Sequence, residues 1–582
     1  MTASTTGAGS APIIVLKFGS SVLPSPDALP RCACEIYRWT RAGFRVVAVV
    51  SAYQRVTDRL LHRAARRRLD AQATATLVAA GEARSAADLA AYLDIAGVRS
   101  TSLTARQTGI AAEGPPLESV PTSIDTAALL AALGAHDAAI VPGYVATGRS
   151  GRESLLGRGG SDLSAVLLAG ALGARCRLLK DVDGVYDLDP ARAGASARRF
   201  TALRHRDALA VSNRLIQDRA IVAAEQTQLV IEIGALLSDR ATRVGATRTD
   251  YDAFPRAPHD APRRVALAGG GAVGSALARL IHAVHPEWTL TAVLVRRTRR
   301  RRHGIDARRC VTDPAALLAT NPQVIIEALS EPGAARDLAA LTLARGIPVV
   351  TANKALLRAH GRALDALAAA AGTSILGRAA VGGAAPVLER VQAIVREHAI
   401  DSVEGLLNGT TGFIGDRLAD GHSFTQALRD ARLAGLAEES AEEDLSGRDV
   451  VRKLELVARA AWPGSAPPII SCRPFDSGSR AYGAAPRRLV GKVSCDAEGC
   501  VRIHVAPAEV GADDAWASCS AEWGAVRIVH REGETVVRGR LAGGLPTALS
   551  LLADVHDLTR LETCDATNPI DEHAPCAAEV RA

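Results

Sequence analysis

The sequence predicts an α/β fold in two successive units, the second closed by an α+β segment. Three stretches carry that expectation. IIVLKFGSS, from Ile13, is a buried-strand pattern that breaks at once into a polar turn. RVALAGGGAVGSALARLIHAV, from Arg264, reads as a strand, a G-x-G-x-x-G turn and a helix. Near the C-terminus, CVRIHVAP, GAVRIVH and ETVVRGR alternate apolar and polar residues as half-exposed strands do.

Composition bounds the function. The 582 residues leave room for about four domains. The 69 basic and 62 acidic residues are interspersed, so the net charge of +7 implies neither nucleic acid nor a membrane surface. There is no run of 18 apolar residues, and the start, MTASTTGAGSAP, lacks a charged-then-apolar leader, so a cytoplasmic protein is expected. Ten cysteines are scattered without paired C-x-x-C or finger-spaced histidines, which predicts free thiols and no protein-held metal site.

In the first unit, the strand from Ile13 ends in Lys17, Phe18, Gly19, Ser20 and Ser21, a turn in which backbone N–H groups and a lysine can approach phosphate oxygens. LLGRGGSDLSAVLLAGALGA sets Gly157–Ser161 before a long helix with Asp162 and Ser164 in its first turn, an anion-binding helix start. RLLKDVDGVYDLDP follows a strand with a loop carrying Lys180, Asp181, Asp183 and Asp187, acids that suit a Mg²⁺-nucleotide. A Walker A pattern is absent.

With KFGSSV, VVSAYQRVTD, Gly81-Glu82, GRGGSD and KDVDGVYDLDP in that order, residues 12–237 resemble the amino-acid kinase family, aspartokinases most closely. The resemblance implies an amino-acid kinase-like α/β sandwich that phosphorylates L-aspartate with ATP and Mg²⁺. It implies that Lys17 contacts the transferred phosphoryl group, with Gly19 and Ser20 in the phosphate turn. Thr57, Glu82, Arg158 and Ser161 would bind aspartate; Lys180, Asp181, Tyr186 and Arg214 would border ATP. Two departures stand out: KFGSSV is one residue shorter than the usual KFGGTSV, and Arg214 replaces a lysine.

Residues 238–262 are polar, aperiodic and proline-bearing, and read as a linker. They are too few for the paired ACT modules usual after such kinases, so direct end-product inhibition through those modules is expected to be absent.

Residues 263–400 are expected to form a Rossmann NAD(P)-binding domain, with Gly269, Gly271, Ala272, Val273 and Gly274 at the pyrophosphate. The next strand, LTAVLV, runs into Arg296 and Arg297 with no acid to accept from a ribose 2′-hydroxyl, which favours NADP(H), NAD being the alternative. IPVVTANKALL then brings Thr351 and Lys354 to the strand edge where ligands bind.

GRDVVRKLELVARA reads as a helix that projects Asp449 and Lys453, four apart, from one face. A solvated ion pair is the ordinary explanation, but composition argues otherwise. The chain has five lysines (Lys17, Lys180, Lys354, Lys453 and Lys492) against 64 arginines. A lysine retained in such a chain suits a task that needs a compact ammonium or a removable proton, which makes Lys453 a candidate acid/base.

GGGAVG, VIIEALS, VVTANKALL, AAVGGAAP, EGLLNGTTGFI and GLAEESAEEDLSGRDVVRKL together resemble homoserine dehydrogenase. The resemblance implies that Lys453 exchanges the proton at the carbonyl oxygen of L-aspartate 4-semialdehyde, giving L-homoserine. Asp449, Glu438, Asp444 and Lys354 would surround substrate and nicotinamide. It also implies an α+β catalytic and dimerisation domain over 401–565 and a homodimer or higher homo-oligomer. Gly412 and Arg378 depart from the family pattern; Arg378 replaces a glutamate that helps bind a monovalent cation, so independence of sodium and potassium is expected. The two resemblances together imply a bifunctional enzyme; a dehydrogenase whose kinase-like half serves only binding or assembly is the alternative. Residues 566–582 have no reading.

Overall fold

The computed structural model divides into two compact units at about residue 261. It describes residues 11–564 apart from 194–196, 212–214, 253–262, 299–301, 435, 438–440, 477–486, 512–513, 515, 518 and 520–521. Arg214 and Glu438, expected at the two sites, lie outside the described residues, as does the tail.

The first unit is built on a nine-stranded sheet whose centre is parallel. Ile231–Ala235, Arg175–Lys180, Ile13–Phe18, Arg45–Val50, Ala138–Pro142 and Ser100–Ser102 pair in that order. Val46 to Val50 are fully buried, which explains the unbroken apolar runs: a parallel strand is covered on both faces. The parallel sense also fixes the chemistry, because the strands that end at Phe18, Val50 and Lys180 open on one edge. Helix Gly160–Leu172 begins behind Gly159, a left-handed cap at φ 71°. A smaller sheet of Val120–Ile124, Ile110–Glu113, Val145–Gly148 and Glu153–Leu155 completes the unit.

The stretch expected to be linker is partly sheet. Ala241–Val244 pairs with Ile231–Ala235 and Phe200–Leu203, and Asp250–Tyr251 extends the same edge. Its polarity hid it: the inward residues are Thr242 and Val244, both fully buried, and the Thr242 hydroxyl donates to Phe200 O at 2.5 Å and accepts from Val185 N at 2.8 Å.

The second unit opens with six parallel strands in the order Cys310–Val311, Thr289–Leu294, Arg264–Ala268, Val324–Glu327, Val349–Thr351 and Ile375–Leu376. In sequence terms this is 3-2-1-4-5-6, the dinucleotide-binding order. A second six-stranded sheet follows: Ile469–Cys472, Val501–Glu509, Arg487–Cys495, Ile400–Leu406, Trp523–His530 and Gly533–Arg540, antiparallel except at its first pair. The expected alternation holds in Val501–Glu509, with Val501, Ile503 and Val505 buried and Arg502 and His504 exposed, whereas in Trp523–His530 the consecutive Gly524, Ala525 and Val526 are all buried.

Helices Gly409–Ala419 and Arg448–Ala461 cover the apolar face of that sheet. Helix Val387–Val395 joins the same core through Val387, Leu388, Val391 and Ile394, so the dinucleotide domain ends near Arg378 and not at residue 400. Helix Gly544–Cys564 returns to pack on Ala272–Val284, the helix after the glycine turn.

Candidate active sites

At the open edge of the first sheet a carboxylate sits between two ammonium groups. Lys17 Nζ lies 2.8 Å from Asp162 Oδ1, and Lys180 Nζ donates to Asp162 Oδ2 at 3.0 Å. All three residues are buried. Burial alone would raise the Asp162 carboxyl, but the Lys17 and Lys180 charges outweigh it and hold its pKa below the usual range. Burial lowers the Lys180 ammonium against the pull of Asp162. The two lysines come from strand ends and Asp162 from the first turn of helix Gly160–Leu172, so three elements converge. Sequence reasoning placed Asp162 in that turn without giving it this role.

The remaining first-unit residues sort unevenly. The Lys17 side chain folds over the turn that follows its strand, where a Cβ added at Gly19 would stand 2.7 Å from its Nζ, while Ser20 is exposed. Ser161 Oγ accepts from Ser51 Oγ at 3.0 Å, and Glu82 Oε2 accepts from Ala52 N at 2.7 Å. Glu82 is buried, which pushes its carboxyl up to about 8 despite the Ala52 bond and the Lys17 charge. Thr57 is half-buried in the first turn of helix Val56–Arg66; Arg158 and Asp181 are exposed. Tyr186 is engaged within its own loop, its hydroxyl donating to buried Asp183 at 2.7 Å.

In the second unit the glycine turn is one that side chains could not occupy at Gly269 and Gly274. Gly269 is at φ 111°, and a Cβ there would stand 2.3 Å from Ala328 O; one at Gly274 would stand 2.0 Å from Gly269 O. A Cβ at Gly271, the helix cap, would meet nothing within 4 Å, so the lip ahead of Ala272 and Val273 is open to a ligand. Arg296 and Arg297 follow the second strand and are exposed. The arginine that approaches the turn is Arg302: a Cβ at Gly270 would lie 2.6 Å from its Nε, and its Nη2 donates to Arg297 O at 2.8 Å. Sequence reasoning did not single it out.

Beside this turn the strands Val324–Glu327 and Val349–Thr351 carry a buried polar pair. Thr351 Oγ1 donates to Glu327 Oε2 at 2.5 Å, and Leu329 N donates to Glu327 Oε1 at 2.6 Å. Burial raises the Glu327 carboxyl above its usual value. Asn353 caps the next helix, accepting from Leu356 N at 3.1 Å, and so aims Lys354 outward from the sheet edge.

Lys354 meets the second lysine-carboxylate cluster. Its Nζ pairs with Asp449 Oδ1, and Lys453 Nζ lies 2.8 Å from Asp449 Oδ2. Lys453 also donates to Leu407 O at 2.5 Å. Burial alone would raise Asp449, but the two ammonium groups hold its pKa far below the usual carboxylate range. Asn408 ties the next layer in: its Nδ2 donates to Asp444 Oδ1 at 2.7 Å and to Asp449 Oδ2 at 2.9 Å, while its Oδ1 caps helix Gly409–Ala419 through Thr411 N. Thr410 Oγ1 donates to Asp444 Oδ2 at 2.9 Å. Lys453 and Asp449 are buried, whereas the Lys354 side chain is 36% exposed, which gives the cluster one solvent-facing end.

The guanidinium of Arg378 pairs with Asp554, fully buried, and Asp557 of the last helix. Among the described residues no group of three or more His, Cys, Asp or Glu is arranged to hold a metal ion, and no helix is long and apolar enough to cross a membrane.

Comparison with known proteins matches this architecture region by region. Residues 12–234 match the amino acid kinase family, 269–377 the NAD-binding domain of homoserine dehydrogenase, and 386–556 homoserine dehydrogenase. An aspartokinase of Helicobacter pylori is 33% identical over 225 residues, 37% of this chain and 54% of that protein. A homoserine dehydrogenase of Neisseria gonorrhoeae is 28% identical over 283 residues, 47% of this chain and 65% of that protein. An NAD(+)-dependent homoserine dehydrogenase of Pseudomonas canavaninivorans is 28% identical over 333 residues, 50% of this chain and 95% of that protein. The chain thus spans about half to two-thirds of the first two relatives, and it joins an amino acid kinase region to both regions of a homoserine dehydrogenase.

Proposed function

We propose that this chain is a bifunctional enzyme that phosphorylates L-aspartate with ATP and interconverts L-aspartate 4-semialdehyde and L-homoserine with NADP(H). One observation carries the reading: four of the five lysines form two Lys–Asp–Lys clusters, each at the ligand-binding edge of a parallel sheet.

In the first unit a carboxylate oxygen of aspartate attacks the terminal phosphorus of ATP, and the bond to the departing ADP oxygen breaks. Lys17 and Lys180 offset the charge that gathers on the phosphoryl oxygens, and Asp162 keeps the two ammonium groups together. ATP with Mg²⁺ supplies the phosphoryl group; Asp181, exposed beside Lys180, is the carboxylate that would face the metal. Glu82 supplies the negative partner for the substrate's amino group.

In the second unit the nicotinamide cofactor, when bound, supplies the hydride that reaches the aldehyde carbon. The carbonyl oxygen then takes a proton from Lys453, and Lys354, at the solvent-facing end, restores it across Asp449. Asp444 and Glu438 hold the amino group of the substrate. Arg302 over Gly270 supports preference for a 2′-phosphate, hence NADP(H).

The test is made on one purified chain. Aspartate-dependent ADP formation is expected with Mg²⁺ and ATP and is abolished by Lys17→Ala; homoserine-dependent NADP⁺ reduction is expected and is abolished by Lys453→Ala. Dehydrogenase turnover without kinase turnover would reduce the first unit to a binding or assembly module.

A further inference from the structure

Helix Lys354–Ala370 belongs to the dinucleotide domain and helix Arg448–Ala461 to the catalytic layer. They lie side by side and run in the same direction, joined at successive turns. Lys354 pairs with Asp449, Arg358 Nη1 lies 3.4 Å from Glu455 Oε2, and Arg459 donates to Leu357 O at 3.2 Å and pairs with Asp365. The catalytic contact is therefore the first rung of a ladder, and Arg459 is its last.

Gly361 shows how tightly that last rung is set. It is buried under the Arg459 guanidinium, and a Cβ there would stand 2.2 Å from Nη1. The guanidinium spans the helix from the Leu357 carbonyl to the Asp365 carboxylate across bare backbone, which a planar fork can do and a point-charge ammonium cannot.

We propose that Arg459 is a positioning residue that fixes the axial register of the two helices and so holds Lys354 on Asp449. The inference rests on the dehydrogenase reading for its consequence in turnover but not for its geometry. A helix slid by one residue moves about 1.5 Å along its axis, enough to part Lys354 from Asp449. Ordinary half-exposed ion pairs would change stability slightly and leave chemistry alone.

The test uses the full chain with Arg459→Met, Arg459→Lys and Gly361→Ala. Homoserine oxidation is measured for kcat, KM and the primary isotope effect with homoserine deuterated at the reacting carbon. Amine labelling of Lys354 is followed by peptide mass spectrometry. The Met and Ala variants are expected to lose about 10²-fold in kcat with a larger isotope effect and little change in nucleotide KM. Lys354 labelling is expected to rise severalfold while Lys17 and Lys180 label at wild-type rates. Arg459→Lys is expected to restore little, since it keeps the charge but not the fork. Folded variants with wild-type kcat, isotope effect and Lys354 labelling would overturn the inference. A wild-type chain that does not oxidise homoserine would instead overturn the functional reading, and the labelling rate alone would then decide this one.

Discussion

Replacing Asp449 with asparagine removes one charge and almost no volume from the second cluster. At 2.8 Å, the Lys453–Asp449 attraction is roughly 6 kcal/mol at an effective dielectric of about 20, before desolvation is counted. Breaking a buried pair by deleting one partner leaves a net loss of about 3–5 kcal/mol, because the remaining charge stays buried. Here two ammonium groups remain, and the half-exposed one, Lys354, swings to water. A positioned proton donor contributes about 10²–10⁴ in rate, so kcat for homoserine oxidation is expected to fall within that range in Asp449→Asn.

The chain carries its own control. Aspartate-dependent ADP formation should be unchanged in Asp449→Asn, and the reciprocal Asp162→Asn should lose kinase turnover while keeping dehydrogenase turnover. Steady-state assays of both activities on each variant, with a melting curve to show folding, make the comparison. A folded Asp449→Asn chain within about threefold of wild-type kcat would refute the assignment, since that is under 1 kcal/mol of barrier.

Four further outcomes follow from the same geometry. Glu82, pushed up to about 8 by burial, binds its proton in the free enzyme at neutral pH and must lose it to face an ammonium group. KM for aspartate should therefore fall as pH rises toward about 8, by up to tenfold per unit, and level off above, a slope absent in Glu82→Gln. Arg302→Gln should raise KM for NADP⁺ by about 10–100-fold, the loss of one charged hydrogen bond, and leave KM for NAD⁺ unchanged; equal effects on both would refute its role. With Arg378 held between Asp554 and Asp557, sodium and potassium should not activate homoserine oxidation, and severalfold activation by either would contradict this. Arg378→Glu should destabilise the second unit by about 3–5 kcal/mol, read by denaturant unfolding, because it takes the guanidinium charge from fully buried Asp554 and sets a second carboxylate beside it.

What was legible in the sequence was local. Strands before glycine turns, the helix with Asp449 and Lys453 on one face, and the alternating strands near the C-terminus all follow from spacing within about twenty residues, and all are present. The rarity of lysine carried further: four of five converge on carboxylates in the two clusters, and the fifth, Lys492, lies half-exposed 3.4 Å from Glu404. What escaped was contact between residues far apart in the chain. Asp162 could be placed in a first turn, but only the fold brings Lys17 to it across 145 positions. Asn408 and Leu407 reach Asp449 and Lys453 through the packing of two helices on one sheet. Arg302 was hidden for another reason: a run of like charges has no periodicity to say which member turns inward.

The two clusters answer one physical problem on two unrelated sheets. Each proposed reaction gathers negative charge, on phosphoryl oxygens in one unit and on a carbonyl oxygen in the other, and two nearby ammonium groups oppose it better than one. Two such groups about 4 Å apart repel by about 4 kcal/mol at an effective dielectric of about 20, so unaided they would splay or lose a proton. A buried carboxylate between them removes that repulsion, and burial makes the carboxylate costly to leave unpaired. Asp162 and Asp449 each face one ammonium group per oxygen, and in both the two positive charges overcome the burial that would otherwise protonate the carboxyl. The clusters differ in access. Lys17 and Lys180 are both buried, which suits a fixed charge clamp that need not exchange protons during phosphoryl transfer. Lys354 opens to solvent, which suits a reaction that consumes one proton per turnover and must recover it.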